Sequence, residues 1–168
     1  MSGEKLILTG FMGMGKSTVG RKSAEVIKTE YTDTDEWMEA IGINIPELVK
    51  TDVAKFRRLE AHALNTILDT NIGIISTGGG IVSTEVGRNA LNGADVPVVW
   101  LRAPFEVAEN RVLQDTGRER PLFADVDKAR ALYQERMEWY QETASHIVDA
   151  SQPVDLVVDE VVDIARMG

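Results

Sequence analysis

An apolar run that leads directly into a glycine-rich segment constrains the fold of this chain most. Leu6-Ile7-Leu8-Thr9 predicts a short buried strand, and residues 16–27 predict the helix that follows it. The segment between them, GFMGMGKS at positions 10–17, matches the pattern G-x-x-x-x-G-K-[ST]. A strand, a glycine-rich turn and a helix in this order are typical of an α/β fold.

The residue types at positions 10–17 point to phosphate as the ligand. Successive backbone N–H groups can surround phosphate oxygens where glycine lets the backbone approach, and the positive end of the helix faces the same oxygens. Lys16 would reach the β- and γ-phosphates, and Ser17 would offer its hydroxyl to Mg²⁺. The alternative, a glycine-rich turn that binds nothing, is disfavoured by the flanking strand and helix. We therefore expect a nucleoside triphosphate to contact Gly13, Met14, Gly15, Lys16, Ser17 and Thr18.

Strands and helices alternate along the rest of the chain. Strands are predicted at 30–32, 72–76, 96–101 and 146–149, and helices at 36–40, at 52–68, from about 104 and up to about 143. This alternation predicts a three-layer α/β sandwich, in which helices cover both faces of a five-stranded parallel sheet. Ligands of such sheets bind beyond the carboxyl ends of the strands, where Gly10, Asp33, Gly78 and Asp149 fall.

Residues 156–160, LVVDE, allow two interpretations. They resemble an apolar strand that ends in an acidic pair, as in many ATPases. Apolar residues recur here at helical spacing, however, at Val154, Val157, Val158, Val161, Val162 and Ala165. Ser151 and Pro153 also suit the start of a helix. The pattern favours a helix with Asp159 on its surface.

Length and composition narrow the class of protein. With 168 residues the chain can form one domain with its own core, and we expect a single domain over 1–168. Cysteine is absent, and the formal net charge of −9 argues against a nucleic-acid partner. Neither a signal pattern nor an apolar run of membrane-spanning length occurs. We expect a cytoplasmic protein with no membrane partner.

The phosphate-binding pattern leaves three classes of enzyme to compare. A switch GTPase would need the strings N-K-x-D and D-x-x-G, and neither occurs in the sequence. A motor or AAA-type ATPase needs a longer chain. A small-molecule kinase needs a second pocket for an acceptor hydroxyl, so that pocket decides the class.

Asp33-Thr34-Asp35 is the first candidate for an acceptor pocket. If these residues lie in a strand, the two carboxylates point the same way. One can serve hydrated Mg²⁺, while the other accepts hydrogen bonds from substrate hydroxyls and the proton of the attacking one. The alternative is a helix N-cap at Asp35 with a solvated Asp33.

Arginines are the second group of candidates for the acceptor pocket. An anionic substrate needs nearby cations, because the protein as a whole is acidic. Arg57 and Glu60 share a helix face at i, i+3, so Arg57 either binds substrate or forms a solvated ion pair; for Arg58 we expect solvation. Arg136 lies on a helix that could be simply charged. Arg120 falls in a polar segment, 115–125, predicted to be a mobile lid that closes over the phosphates.

Taken in order, these motifs resemble the shikimate kinases. The resemblance rests on GFMGMGKST, Asp33-Thr34-Asp35, Phe56-Arg57-Arg58-x-Glu60, Gly78-Gly79-Gly80 and Arg120-Pro121-Leu122, and it covers nearly all of the chain. It implies a P-loop fold of the nucleoside monophosphate kinase type, with an acceptor-binding region at about 33–68. It also implies transfer of the γ-phosphate of ATP to a ring hydroxyl of shikimate, with Mg²⁺ as the cofactor. We expect the enzyme to be a monomer.

The resemblance further implies a role for each matching residue. Arg57 and Arg136 would clasp the substrate carboxylate. The other substrate-binding residues would be Asp35, Phe56, Gly78, Gly79 and Gly80. Lys16, Asp35 and Arg120 would be catalytic, with Arg120 also contacting ATP. Arg111 and Pro153 would flank adenine, and Ser17 and Asp33 would serve Mg²⁺, the latter directly or through water.

Two positions depart from the family pattern. Asp52-Val53 stands where the family has Gly-Glu, and Val49 stands where it has an aromatic residue. A smaller, more apolar wall could favour another polyhydroxy acid such as gluconate, which is the main alternative substrate. A nucleoside monophosphate kinase is a third interpretation. A regulatory module that only binds nucleotide would not need Asp35.

Overall fold

The computed structural model describes residues 3–114 and 121–168. Over these residues the chain forms five strands. They are β1 (Leu6–Thr9), β2 (Tyr31–Asp33), β3 (Ile74–Ser76), β4 (Val98–Arg102) and β5 (His146–Asp149). The strands build one parallel sheet in the order β2-β3-β1-β4-β5.

Eight α-helices flank the sheet within the described ranges. They are α1 (Lys16–Ile27), α2 (Thr34–Ala40), α3 (Ile45–Thr51), α4 (Val53–Leu68), α5 (Glu85–Asn92), α6 (Phe105–Gln114), α7 (Val126–Thr143) and α8 (Val154–Met167). Short 3₁₀ turns cover Ile81–Ser83 and Pro121–Ala124. None of the helices in the described part of the chain is long and apolar enough to span a bilayer.

β1 lies at the centre of the sheet, and its residues are fully buried. Ile7 pairs with Ile75 of β3 on one side and with Val98 of β4 on the other. Helices cover both faces of a parallel sheet, so its inner strands are continuous apolar runs. α1 packs against α8, and α4 packs against α5, which closes the core around the sheet.

The predicted fold class and the number of strands are confirmed. The helical interpretation of residues 156–160 is also confirmed, because they lie inside α8, and Asp159 is exposed there. Strand ends differ by up to two residues: β3 begins at Ile74 rather than 72, and β4 begins at Val98 rather than 96. The apolar runs continue past the ends of the hydrogen-bonded strands, so the sequence does not fix these ends to better than one or two residues.

Two helices, α3 and α5, were not predicted. The sequence does contain signals for the start of α3. The Asn44 side chain accepts a hydrogen bond from the Glu47 N–H, and Pro46 lies in the first turn. At seven residues it is too short for a clear apolar period. The predicted lid at 115–125 falls largely on residues outside the described ranges, and its last residue, Asp125, caps α7.

Candidate active site

The phosphate loop, residues 10–17, connects β1 to α1. Gly13 and Gly15 have φ values of +81° and +88°, which only glycine adopts easily. Gly15 is also the N-cap of α1, so the positive end of that helix points out of the loop. The Lys16 ammonium group folds back across the loop and donates hydrogen bonds to the carbonyls of Gly10 and Phe11. The loop therefore presents backbone donors and one cation to the same space.

Arg111 of α6 forms a hydrogen bond to this loop. Its Nη1 donates to the Gly13 carbonyl at 3.2 Å, and its Nη2 donates to the Ala150 carbonyl, just after β5, at 2.7 Å. One guanidinium thus joins the phosphate loop to the segment between β5 and α8. Pro153 lies in that segment as the exposed N-cap residue of α8.

Asp33 and Asp35 do not share a strand, so the predicted reason for their common direction is wrong. Asp33 ends β2 and caps α2, where its Oδ1 accepts a hydrogen bond from the Glu36 N–H at 3.0 Å. Asp35 lies in the first turn of α2 and does not cap it. Both carboxylates nevertheless face one cavity, because the chain turns sharply between them.

Thr34, the residue between the two carboxylates, fixes that turn. Its side chain is fully buried, and its Oγ1 accepts a hydrogen bond from the Gly78 N–H at 3.2 Å. Residues 78–80 form the turn that follows β3, called the glycine turn below. Thr34 therefore ties the acidic end of β2 to the glycine turn of the neighbouring strand.

A cavity of about 640 Å³ opens between the phosphate loop, α2 and the glycine turn. Residues predicted to bind ligand supply most of its wall. These are Gly13, Gly15, Lys16, Ser17, Thr18, Asp33, Asp35, Gly78, Gly79 and Arg111. Met12, Glu36, Glu39, Thr77 and Val112, which were not predicted, complete the lining. The cavity lies beyond the carboxyl ends of β1, β2 and β3, as the fold requires.

The partly buried Arg57 and the buried Glu60 form an ion pair beside this cavity. Arg57 Nη1 donates to Glu60 Oε1 at 3.0 Å, and the Glu60 side chain is only 1% exposed. The guanidinium also lies 5.0 Å from the centre of the Phe56 ring. The solvated ion pair considered for Arg57 is therefore wrong, whereas Arg58 is exposed as expected.

Arg136 and Tyr140, one turn apart on α7, lie close enough to this pair to interact with its charges. Both residues are buried, and the charges of Arg57 and Glu60 act on both. Burial lowers the pKa of Arg136, yet a guanidinium stays charged at any ordinary pH. Arg136 is thus a buried cation near Arg57, and not a solvated helix residue.

Three buried polar atoms of this region have no hydrogen-bond partner: Asp35 Oδ1, Glu60 Oε2 and Arg136 Nε. All three belong to the groups that interact around Arg57. Unsatisfied buried polar groups are costly and concentrate where a ligand completes them. Their grouping beside the phosphate loop marks this region as a binding site for a polar molecule.

The two carboxyl groups here are hard to ionise. Burial, followed by the negative charges of Asp33 and Glu39, raises the pKa of Asp35 to about 6. Burial likewise raises the pKa of Glu60 to about 7, although Arg57 acts in the opposite direction. A carboxyl group with a pKa near the working pH is suited to accept and return a proton.

The remaining predicted residues lie around the cavity without lining it. Phe56, Arg57, Gly80 and Arg136 belong to the buried region beside it. The Met14 side chain packs in the core, so only the backbone of Met14 is available to a ligand bound in the phosphate loop. Arg120 lies outside the described residues.

Two further residues of the site were not predicted. Glu60 was noted only as a helix neighbour of Arg57, because the i, i+3 spacing does not distinguish a buried pair from a solvated one. Tyr140 was not singled out, although its i+4 spacing from Arg136 places both on one helix face.

The donor groups of the cavity fit a magnesium ion that is bound mainly by a nucleotide. Magnesium in such sites uses one or two protein oxygens and fills its other positions with phosphate oxygens and water. The Ser17 hydroxyl and the Asp33 carboxylate line the same cavity as Lys16. Within residues 3–114 and 121–168 no cluster of three metal-ligating side chains occurs, so the protein groups alone would hold the ion weakly.

A parallel α/β sheet, a phosphate loop and a group of charged, partly unsatisfied side chains beside that loop are the features of a P-loop kinase of small molecules. A family model described as shikimate kinase matches residues 12–166. The chain is 37% identical over 152 residues to the shikimate kinase of Streptococcus suis, across 88% of this chain and 91% of that protein. The chain belongs to the shikimate kinase family.

Solved structures agree with this assignment. Shikimate kinase from Acinetobacter baumannii in complex with shikimate has a TM-score of 0.77 and 30% identity, over 97% of this chain and 89% of that chain. A gluconokinase from Sinorhizobium meliloti has a TM-score of 0.62 and 20% identity, over 99% of this chain and 93% of that one. The second likeness is one of fold alone, so it does not support gluconate as the substrate.

Proposed function

We propose that this protein transfers the γ-phosphate of ATP to a ring hydroxyl of shikimate, giving shikimate 3-phosphate for the biosynthesis of chorismate and aromatic amino acids. The observation that carries the proposal is a pair of cations, the buried Arg136 and the partly buried Arg57, beside the phosphate loop in a chain of this family. Shikimate carries one carboxylate, and guanidinium groups bind carboxylates through paired hydrogen bonds.

The phosphate loop would hold the nucleotide. Its backbone N–H groups would bind phosphate oxygens, and Lys16 would exchange its bonds to the Gly10 and Phe11 carbonyls for bonds to phosphate. Phosphoryl transfer asks the protein mainly to position two reactants and to stabilise spread negative charge. Lys16 would stabilise the negative charge on the phosphates of ATP. Arg120, as the family pattern implies, would stabilise the same charge from the lid.

The acceptor would lie between the glycine turn and Asp35. With its carboxylate on Arg57 and Arg136, its hydroxyls would reach Asp35, whose unpartnered Oδ1 can accept a hydrogen bond. The pKa of Asp35, raised to about 6, makes this carboxyl a better proton acceptor than an ordinary aspartate. Asp35 would take the hydroxyl proton as the oxygen attacks the γ-phosphate.

Ser17 and Asp33 would hold Mg²⁺, Asp33 directly or through water. When bound, the ion supplies positive charge to the phosphate oxygens. Arg111, which already contacts the phosphate loop, and Pro153 would flank the adenine. We further propose that the enzyme acts as a monomer. Dependence on ATP supports a cytoplasmic location.

Gluconate remains the second candidate acceptor, although the structure weakens its sequence support. Val49 and Val53 are 45% and 50% exposed, and neither lines the cavity. Neither of these two valines therefore forms part of the wall of that cavity.

A coupled ADP-release assay tests the proposal. Purified protein with ATP and Mg²⁺ is offered shikimate, gluconate and a panel of nucleoside monophosphates in parallel. We expect turnover on shikimate well above the background without acceptor. Turnover on gluconate or a nucleotide instead, or ATP binding with no turnover on any acceptor, would refute the assignment.

A further inference from the structure

Tyr140 is a buried side chain of α7 to which none of the steps above assigns a role. Its accessible surface is zero, and its ring stacks on Trp100 of β4, with centroids 5.6 Å apart and an angle of 27° between the planes. Because β4 is an inner strand, the ring of Tyr140 is held against the rigid centre of the sheet. Its hydroxyl is consequently fixed in position.

The Tyr140 hydroxyl donates a hydrogen bond to the carbonyl of Gly79 at 2.5 Å. Burial raises the pKa of Tyr140 well above its usual value, so the phenol keeps its proton and stays a donor. The bond joins α7 to the middle of the glycine turn, 61 residues away in sequence.

Gly79 lies between this hydroxyl and the phosphate loop. A methyl group built on Gly79 would be 3.3 Å from the Gly10 carbonyl oxygen, and 3.5 Å from both the Met12 nitrogen and the Tyr140 hydroxyl. The glycine turn is thus in contact with the nucleotide-binding loop on one side and with Tyr140 on the other. Any change in the Gly79 carbonyl position changes the separation of the two loops.

We propose that Tyr140 is a positioning residue for the acceptor, which sets the place of the glycine turn relative to the phosphate loop. The same side chain lies beside Arg136, one turn earlier on α7. Tyr140 therefore fixes the position of Arg136, one of the two cations proposed to bind the carboxylate, relative to the glycine turn. This inference rests on the proposed function, since it assigns the acceptor to the glycine turn.

Tyr140→Phe tests the inference, because phenylalanine keeps the ring stacked on Trp100 and removes only the hydroxyl. We expect the KM for shikimate to rise about tenfold, the effect of losing one well-formed hydrogen bond at the site. The KM for ATP should change by less than about twofold, because the phosphate loop keeps its own contacts. The measurement is steady-state kinetics with each substrate varied, alongside a thermal melt.

Tyr133→Phe is the matched control. Tyr133 lies on the same helix, and its hydroxyl also donates to a backbone carbonyl, that of Ala103, at 2.6 Å. Its ring packs on Phe11 and Phe105, away from the glycine turn. A purely structural role for both hydroxyls would lower the Tm similarly in both variants and leave the KM for shikimate unchanged in both.

A selective rise in the KM for shikimate in Tyr140→Phe, absent from Tyr133→Phe, would support the inference. Equal KM values in the two variants, with an active wild type, would overturn it and leave the proposed function intact. A wild type without turnover on shikimate would overturn the proposed function, and this inference with it.

Discussion

The guanidinium of Arg57 lies against the backbone of Gly80, so closely that a methyl group on Gly80 would overlap its Cζ and both Nη atoms. The guanidinium is the far end of a flexible side chain and can move aside. Gly80→Ala should therefore displace the charge that we propose binds the acceptor, at small cost in stability. We expect the KM for shikimate to rise about tenfold, and steady-state kinetics with a thermal melt measures both effects.

Gly87→Ala is the contrasting variant. A methyl group there would overlap the backbone carbonyl of Ile81, which cannot swing away as a side chain does. Forcing the backbone apart costs about 1–3 kcal/mol, so the Tm should fall by roughly 5 °C or more. Gly80→Ala would contradict our interpretation if it destabilised the protein as much, or if its KM for shikimate were that of the wild type.

Arg57→Ala should impair binding of the acid and spare binding of ATP. Hydrogen bonds to charged groups contribute about 1.5–3 kcal/mol each, so we expect the KM for shikimate to rise about 10- to 100-fold. The KM for ATP should stay within about twofold. Both constants are measured after circular dichroism has confirmed folding, because the variant leaves Glu60 buried without its partner.

Arg58→Ala provides the control for this variant. Arg58 is the adjacent residue on α4 and is exposed, so its removal takes away the same formal charge without touching the site. It should behave as the wild type does. A normal KM for shikimate in Arg57→Ala would exclude Arg57 from the acceptor site.

Lys16→Ala should abolish most of the turnover while leaving the fold intact. The ammonium group faces the cavity and bonds to carbonyls of its own loop; in the reaction it would stabilise the charge of the transferring phosphoryl group. A loss of about 10²- to 10³-fold in kcat is expected, with a change in Tm of a few degrees. Lys22→Ala, on the exposed part of the same helix, should change neither quantity. A normal kcat in Lys16→Ala would refute the assigned role.

The two halves of the site differ in how far sequence alone could predict them. The phosphate loop lies within eight consecutive residues, so the sequence pattern alone predicts the conformation of the loop. The acceptor half combines α2, α4, α7 and the turn after β3. Spacing along one helix could not reveal that Glu60 is 1% exposed, because burial depends on what the other elements place over it.

Asp35 illustrates the same limit. Its role was predicted from a strand geometry that does not exist, since the chain enters α2 at Thr34. The carboxylate reaches the cavity because the buried Thr34 is bonded to Gly78, a contact 44 residues apart in sequence. The bonds of Tyr140 to Gly79 and of Arg111 to Ala150 are similarly long-range.

Asp35 also makes the free protein less stable as the pH rises. Burial, then Asp33 and Glu39, raise its pKa to about 6 from an ordinary value of 3.8, so the folded protein binds this proton more tightly than the unfolded chain does. The resulting stabilisation is fully present below the unfolded pKa and is lost as the pH rises through about 6.

Asp35→Asn should therefore stabilise the nucleotide-free protein at neutral and alkaline pH, while abolishing turnover. The shift of Asp35 corresponds to roughly 2–3 kcal/mol at about pH 8, which predicts a rise in Tm of several degrees. At about pH 5 the wild-type carboxyl is largely protonated in the fold, so the difference in Tm should shrink to about half. Calorimetry at both pH values measures it, with Asp159→Asn, an exposed position on α8, as the control expected to show no gain. A wild type more stable than Asp35→Asn at pH 8 would mean that Arg57 and Lys16 offset the cost of burying this charge.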